Sequence, residues 1–169
     1  ADAPVIQVRT QIVHITDEDV ARLSVNDAVH VSIDWQRRYN IMRMHSAAHF
    51  VFYYARKLFG PDGAHKLYGT LKGCRIGDDN ARFDFPASVK LDQSDIARIE
   101  DATNSLIVKD LDINYEPDAT EPDLRYWVCG EVEMYCGGTH VHNTKEIGTV
   151  SVKRRSQGKG LERIYLEIV

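Results

Sequence analysis

This chain is poor in the residues that mark several protein classes. It has three cysteines in 169 residues, an odd number at unrelated spacings. That excludes a disulfide framework and fits a reducing compartment in which thiols stay free. No apolar run approaches the roughly 20 residues that span a bilayer. The first residues carry no basic stretch followed by an apolar one, so no signal peptide is expected and the protein is read as cytoplasmic, with no membrane partner. Positive charge is not in excess: Lys and Arg total 21 against 25 Asp and Glu, a net −4. A protein that coats nucleic acid through many neutralised phosphates is thereby excluded, though contact with one end of an RNA is not. No repeat or low-complexity segment is present. With 43% hydrophobic and 27% charged residues, the chain suits one globular domain with a small appendage.

Periodicity supplies the elements. Residues 5–15, rich in Val, Ile, Gln and Thr, read as one or two strands. Val25–Ala28 reads as a turn into a strand over Val29–Ile33, whose apolar residues alternate. From Gln36 to Phe59 apolar residues recur at steps of three and four, which predicts a long amphipathic helix ended by Gly60-Pro61-Asp62-Gly63. Short strands fit 66–72, 73–78 and 81–85. Ser94 is the expected N-cap of a second helix over 95–110 that buries Ile96, Ile99, Leu106 and Ile107. Ile113–Glu116 reads as extended. Residues 118–128 are ambiguous, with a short helix at Glu121-Pro122-Asp123 as one reading. Ile147–Lys153 and Leu161–Ile168 flank Gln157-Gly-Lys-Gly160 as a β-hairpin. Because strands and helices do not alternate as βαβ units, the expected fold is α+β: an antiparallel sheet against two main helices. The expected division is a short β-rich segment over 1–34 and the main domain over 35–169.

Two short motifs carry chemistry. In His45-Ser-Ala-Ala-His49 a helix stacks both imidazoles on one face, one turn apart. In Cys136-Gly-Gly-Thr-His140 a thiolate and a third imidazole flank two glycines, which allow close approach of backbone to a ligand. Together the four side chains form a plausible tetrahedral zinc set, pointing to hydrolysis at a metal more than to redox chemistry. His14, His30, His65 and His142 lack such context, although His142 lies on the same side as His140 in an extended segment. Cys74 and Cys129 read as small apolar core residues. Cations gather at Arg37, Arg38 and Arg43, and at Lys153, Arg154, Arg155, Lys159 and Arg163. For each of these, solvated surface is the plain alternative to a role.

The two motifs resemble the signature of the alanyl-tRNA synthetase editing domain and its free-standing relatives, the AlaX proteins. Ile33–Tyr39 with Met42–His45 is similar to the run that leads into the HxxxH helix there. Arg75-Ile76-Gly77 with Ala81–Phe85 is similar to the middle strands. Glu146-Ile147-Gly148 and Gly158–Tyr165 are similar to the C-terminal end. The resemblance covers about residues 29–169, and residues 1–34 look like the remnant of a barrel that precedes the editing domain in longer relatives, without their glycine-rich motif. It implies a zinc-dependent aminoacyl-tRNA deacylase acting on mischarged seryl-tRNA(Ala), with the glycyl form as a second substrate. His45, His49, Cys136 and His140 would be the catalytic and metal-binding residues. Thr70, Gly137, Gly138 and Thr139 would bind the substrate. Lys153, Arg154, Arg155, Lys159 and Arg163 would contact tRNA. Two alternatives stay open: a metal-free acid–base site, as in the related threonyl-tRNA synthetase editing domain, and a non-catalytic tRNA-end or protein-binding module with a structural zinc.

Overall fold

The structure, a computed structural model, describes residues 5–8, 11–14, 23–121, 124–158 and 160–169. Contacts divide the chain into two units, Ala1–Ile33 and Asp34–Val169. In the first, β1 (Val5–Val8) pairs antiparallel with β2 (Gln11–His14). A turn follows in which the Asp27 carboxylate accepts from the Ser24 amide at 2.8 Å. The strand expected over Val29–Ile33 does not form, and Val29, Val31 and Ile33 are exposed. Among the described residues no strand lies alongside, and an alternating apolar pattern cannot hold an extended chain without a partner for its backbone groups.

The second unit is α+β, as its pattern implied. Helix α1 (Trp35–Phe59) starts where the Asp34 carboxylate accepts from the Arg37 amide at 2.9 Å, and it ends at Gly60. Strands β3 (Gly73–Ile76) and β4 (Asn80–Pro86) come next, then helix α2 (Gln93–Ile107). Asp92, not Ser94, caps α2: its carboxylate accepts from the amides of Ser94 and Asp95, and the Asp95 side chain reaches back to the Asp92 amide. A carboxylate two residues upstream satisfies two orphan donors at once, and the Ser94 hydroxyl merely adds a third bond to it. The expected strand over 66–72 is reduced to one bridge, Leu67 with Ala87, because Gly69 turns the chain at φ 62°.

Strands β5 (Asn114–Pro117), β6 (Arg125–Cys129) and β7 (Val132–Tyr135) form an antiparallel sheet in chain order. The ambiguous stretch thus contains a strand; of the suggested helix start, residues 122–123 lie outside the described residues. The hairpin β8 (Val150–Gly158) and β9 (Leu161–Ile168) completes a second antiparallel sheet in the order β3-β4-β9-β8.

Helix α1 lies between these two sheets. On one side Phe52 meets Phe83 and Phe85 of β4, with ring centroids 5.8 and 5.9 Å apart. On the other, Phe50 meets Trp127 of β6 at 5.2 Å. Six consecutive residues, Ser46–Val51, are buried, so the middle of the helix is enclosed all round instead of amphipathic. Full burial of side chains such as Phe50, Phe59 and Phe85 stabilises by about 2 kcal/mol each. Cys129 is in this core, as expected, but Cys74 is exposed, since β3 is an edge strand that offers no neighbour to cover it.

Candidate metal centre

The buried middle of α1 carries His45 and His49. The loop after β7 carries Cys136 and His140, and the two segments converge so that one ligand atom from each of the four residues lies within 4.8 Å of the others. The His45 and His140 rings stack at 4.0 Å, and His49 stands edge-on to His45 at 4.8 Å. Cys136 Sγ is 3.7 Å from His45 Nε2 and 3.3 Å from His140 Nε2. With zinc bonds of about 2.1 Å to nitrogen and 2.3 Å to sulfur, a tetrahedron has N···S edges of roughly 3.6 Å. The two Cys136–histidine separations are close to that edge, and the four donors as a group, within 4.8 Å of one another, are near enough to close on one ion. His49 Nδ1 is in addition buried without a hydrogen-bond partner, a costly state for an imidazole that a ligand would relieve.

Electrostatics suit the same use. Burial lowers the pKa of His45 against a weaker opposing hydrogen bond that its ring donates to the Thr139 backbone. Burial, with the neighbouring His45, pushes His49 down to about 3. Burial, then His45 and His49, push His140 down to about 2. Rings held neutral in this way are competent ligands and poor proton acceptors.

The His140 tautomer is set by Ser46, which lies between the two histidines of α1. The Ser46 hydroxyl donates to the Met42 carbonyl at 3.0 Å and accepts from the Val141 amide at 3.3 Å. Its one proton being so used, its contact with His140 Nδ1 at 3.1 Å has the imidazole as donor. The proton then sits on Nδ1, and the Nε2 lone pair faces Cys136.

The Cys136–His140 loop is held from outside by Arg125. Period two on β6 puts Arg125 and Trp127 on the face that meets α1, and the β6–β7 register continues to Cys136, whose amide donates to the Arg125 carbonyl. The Arg125 guanidinium donates to the carbonyls of Cys136, Gly137 and Gly138 at 3.3, 3.0 and 3.1 Å. It also lies 4.2 Å from the ring of Tyr115, whose hydroxyl donates to the Gly138 carbonyl at 3.2 Å. Inside the loop the Gly138 amide points at Cys136 Sγ, 3.4 Å away. A Cβ at Gly138 would stand 2.3 Å from His45 Cε1, whereas one at Gly137 would meet nothing within 4 Å.

Downstream, α1 grips the chain again. Tyr39 donates to Glu146 at 2.7 Å, and Arg43 donates to the carbonyls of Glu146 and Ile147. Glu146 caps the turn by accepting from the amides of His142 and Asn143. The Glu-Ile-Gly motif and Arg43 thus fix the backbone that follows His140. His142 is exposed and outside the group.

The other expected site residues are spread out. Thr70 is exposed and lines a cavity of about 390 Å³ with Phe52, Arg56, Gly69, Leu71 and Phe85. Phe52 lies three residues beyond His49, about 4.5 Å along α1. Thr139 is exposed beside His45. Arg154 pairs in two-point fashion with the buried Glu162 at 2.8 and 3.0 Å. Arg163 pairs with Asp84, and Lys153 with Glu167 at 2.6 Å. Arg155 is exposed, and Lys159 lies outside the described residues. Sequence reasoning missed Ser46, Tyr115, Arg125 and Trp127. The alternation Arg125-x-Trp127 ahead of Cys136 was the available signal for two of them.

The domain family described as the threonyl and alanyl tRNA synthetase second additional domain matches residues 129–165, the stretch from the end of β6 through the second motif and most of the hairpin. The chain is 31% identical to the alanyl-tRNA editing protein AlaX-M of Saccharolobus solfataricus, over 94% of this chain and 71% of that protein. It is 29% identical to the alanine–tRNA ligase of Thermobifida fusca over 83% of the chain, and 32% identical to that of Cupriavidus necator over 77%. It spans only 17% and 16% of those two ligases. By identity and coverage together, this chain belongs to the AlaX family of alanyl-tRNA editing proteins.

Proposed function

We propose that this protein is a zinc-dependent aminoacyl-tRNA deacylase that hydrolyses the ester of seryl-tRNA(Ala), with glycyl-tRNA(Ala) as a second substrate. The observation that carries the reading is the convergence of His45, His49, Cys136 and His140, with neutral imidazoles and a loop whose backbone is pressed against His45. His45, His49 and Cys136 would hold the metal, with His140, whose Nε2 lies 3.3 Å from Cys136 Sγ, beside them. Zinc held there supplies a water of lowered pKa and a Lewis acid for the ester carbonyl. The chain's own part is placement. Ser46 keeps the His140 proton on Nδ1. Arg125 and Tyr115 turn the loop carbonyls outward, so that the Gly138 amide faces the thiolate.

A metal-free acid–base mechanism fits less well, because an imidazole held neutral down to about pH 2 is far from the near-neutral pKa that makes an efficient general base. Amino-acid selection falls to a hydroxyl-reading group. A pocket that hydrogen-bonds a substrate hydroxyl rejects the analogue lacking it, since its buried polar group is left unpaired at about 1–3 kcal/mol. Thr70, exposed in a cavity it lines with Phe52, Arg56, Gly69, Leu71 and Phe85, is the proposed reader, its hydroxyl to be covered when the substrate is seated.

The test is deacylation of Ser-tRNA(Ala) and Ala-tRNA(Ala), with and without chelator and with zinc restored. The expected result is a strong preference for the seryl substrate, lost on chelation and recovered with zinc. Thr70→Val should lower kcat/KM for the seryl substrate about tenfold and leave the alanyl one nearly unchanged. Full activity in exhaustively metal-free protein would sink the zinc mechanism. Bound zinc without hydrolysis of any aminoacyl-tRNA would favour the structural-zinc module.

A further inference from the structure

The four-stranded sheet has a face away from the core, and its register decides what that face carries. Arg75 of β3 stands opposite Arg82 of β4, Arg82 opposite Tyr165 of β9, and Tyr165 opposite Lys153 of β8. In the adjacent row Asp84 stands opposite Arg163, and Arg163 opposite Arg155. Residues paired in register point to the same side of a sheet, so Arg75, Arg82, Arg163, Lys153 and Arg155 share one face. Arg75, Lys153 and Arg155 are exposed there, while Arg82 and Arg163 are half-buried. The carboxylates interleaved on this face are Asp84 and Glu167. The other face carries Phe83, Ile164, Leu166 and Val152 into the core. Arg154 lies on that face too, opposite Ile164, where it neutralises Glu162.

Two features set this face apart from an ordinary solvated surface. First, it has five cations against two carboxylates in a chain whose overall balance is 21 against 25. Second, two of its cross-strand pairs, Arg75–Arg82 and Arg155–Arg163, juxtapose like charges, an arrangement that costs stability. The structure contains that cost locally: Asp84, only 9% exposed, accepts from Arg163 through two nitrogens and from Arg82 at 2.9 Å. Held in this way, the guanidinium planes of the middle strands are fixed in position; of the edge-strand cations, Lys153 pairs with Glu167, while Arg75 and Arg155 lie exposed beside them. Four strands about 4.8 Å apart spread the charge across roughly 14 Å, a width suited to several phosphates of a polyanion.

We propose that this outer sheet face docks the phosphate backbone of the RNA, through Arg75, Arg82, Lys153, Arg155 and Arg163. It rests on the reading of the substrate as an aminoacyl-tRNA. It replaces a contiguous basic tail with a surface that includes Arg75 and Arg82, from the earlier strands β3 and β4, and leaves out Arg154.

The test measures binding of an uncharged tRNA(Ala) transcript by fluorescence anisotropy across a salt series. Hydrolysis of seryl-adenosine ester, which lacks the tRNA body, is followed in parallel. Each duplex phosphate contact contributes about 0.9 to the slope of log K against log salt. The double variant Arg75→Gln/Arg155→Gln should therefore lower the slope by about two and leave hydrolysis of the small ester unchanged. Lys153→Gln alone should lower it by about one. Lys109→Gln, an exposed cation just beyond α2, should have no effect. Wild-type slopes in both face variants, equal losses in the Lys109 variant, or binding to anionic vesicles in place of RNA would overturn the proposal. RNA binding that tracks these residues in a protein without ester hydrolysis would uphold the surface and defeat the deacylase reading alone.

Discussion

Single atoms decide the geometry of the centre, and Gly138 shows how. A Cβ there would lie 2.3 Å from His45 Cε1 and 2.8 Å from His45 Nδ1, so either the loop or a ligand must move. Gly137, its neighbour, has open space around the same position. We expect Gly138→Ala to weaken zinc affinity by tenfold or more and to lower deacylation with it, while Gly137→Ala stays within a factor of two or three. Titration of the metal-free variants with Co²⁺, read in the visible spectrum, gives the comparison. Equal affinities for the two alanine variants would contradict the close approach. The four converging side chains were legible in sequence because their spacing in the chain is their spacing in space: four residues on a helix, four in a tight loop. Ser46 was not, since a serine within a helix reads the same whether it meets water or, as here, a histidine 94 residues away.

At the scale of elements, β6 organises the loop that carries two of the four donors. Its alternate residues send Trp127 under His49, with ring centroids 4.6 Å apart, and send Arg125 over the loop carbonyls. Lysine cannot stack on Tyr115 and hydrogen-bond three carbonyls from one planar group. Arg125→Lys should therefore loosen the loop without unfolding the sheet. The expected outcome is a tenfold or larger rise in the zinc dissociation constant, with faster amide exchange confined to residues 136–140. Unchanged exchange there would remove Arg125 as the clamp. The two helices and the C-terminal hairpin were readable from periodicity and turn residues, although the α2 cap was misplaced by two positions. The three-stranded sheet was not. Its strands are four or five residues long, too short for alternation to stand out, and the exposed pattern of β5 carries no apolar signal. The docking face was legible only in part, through Lys153, Arg155 and Arg163: pairing Arg75 with Arg82 and Arg155 with Arg163 depends on register, which a linear reading of charge does not give.

For the molecule as a whole, the buried imidazoles tie stability to pH. His49 and His140 have folded pKa values pushed to about 3 and about 2, against about 6.5 in an unfolded chain. Between roughly pH 6.5 and 3 the unfolded state binds more protons than the folded one. Stability is therefore complete above about pH 6.5 and falls as the solution is acidified through that window. Two such rings remove about 3 kcal/mol between pH 7.5 and 5.5. Asp84 and Glu146, whose pKa values are lowered, extend the loss in the same direction at lower pH. Urea denaturation of chelated protein at the two pH values measures the difference, and equal midpoints would show that the rings are not held neutral. The donors themselves have a further consequence. Two come from α1 and two from a loop 91 residues later in the chain. A chain still being synthesised, or one cleaved and separated between these segments, offers only half a coordination shell. A metal held by all four side chains would thus be retained only by whole, folded molecules, so the metal content of the purified protein would count the finished ones.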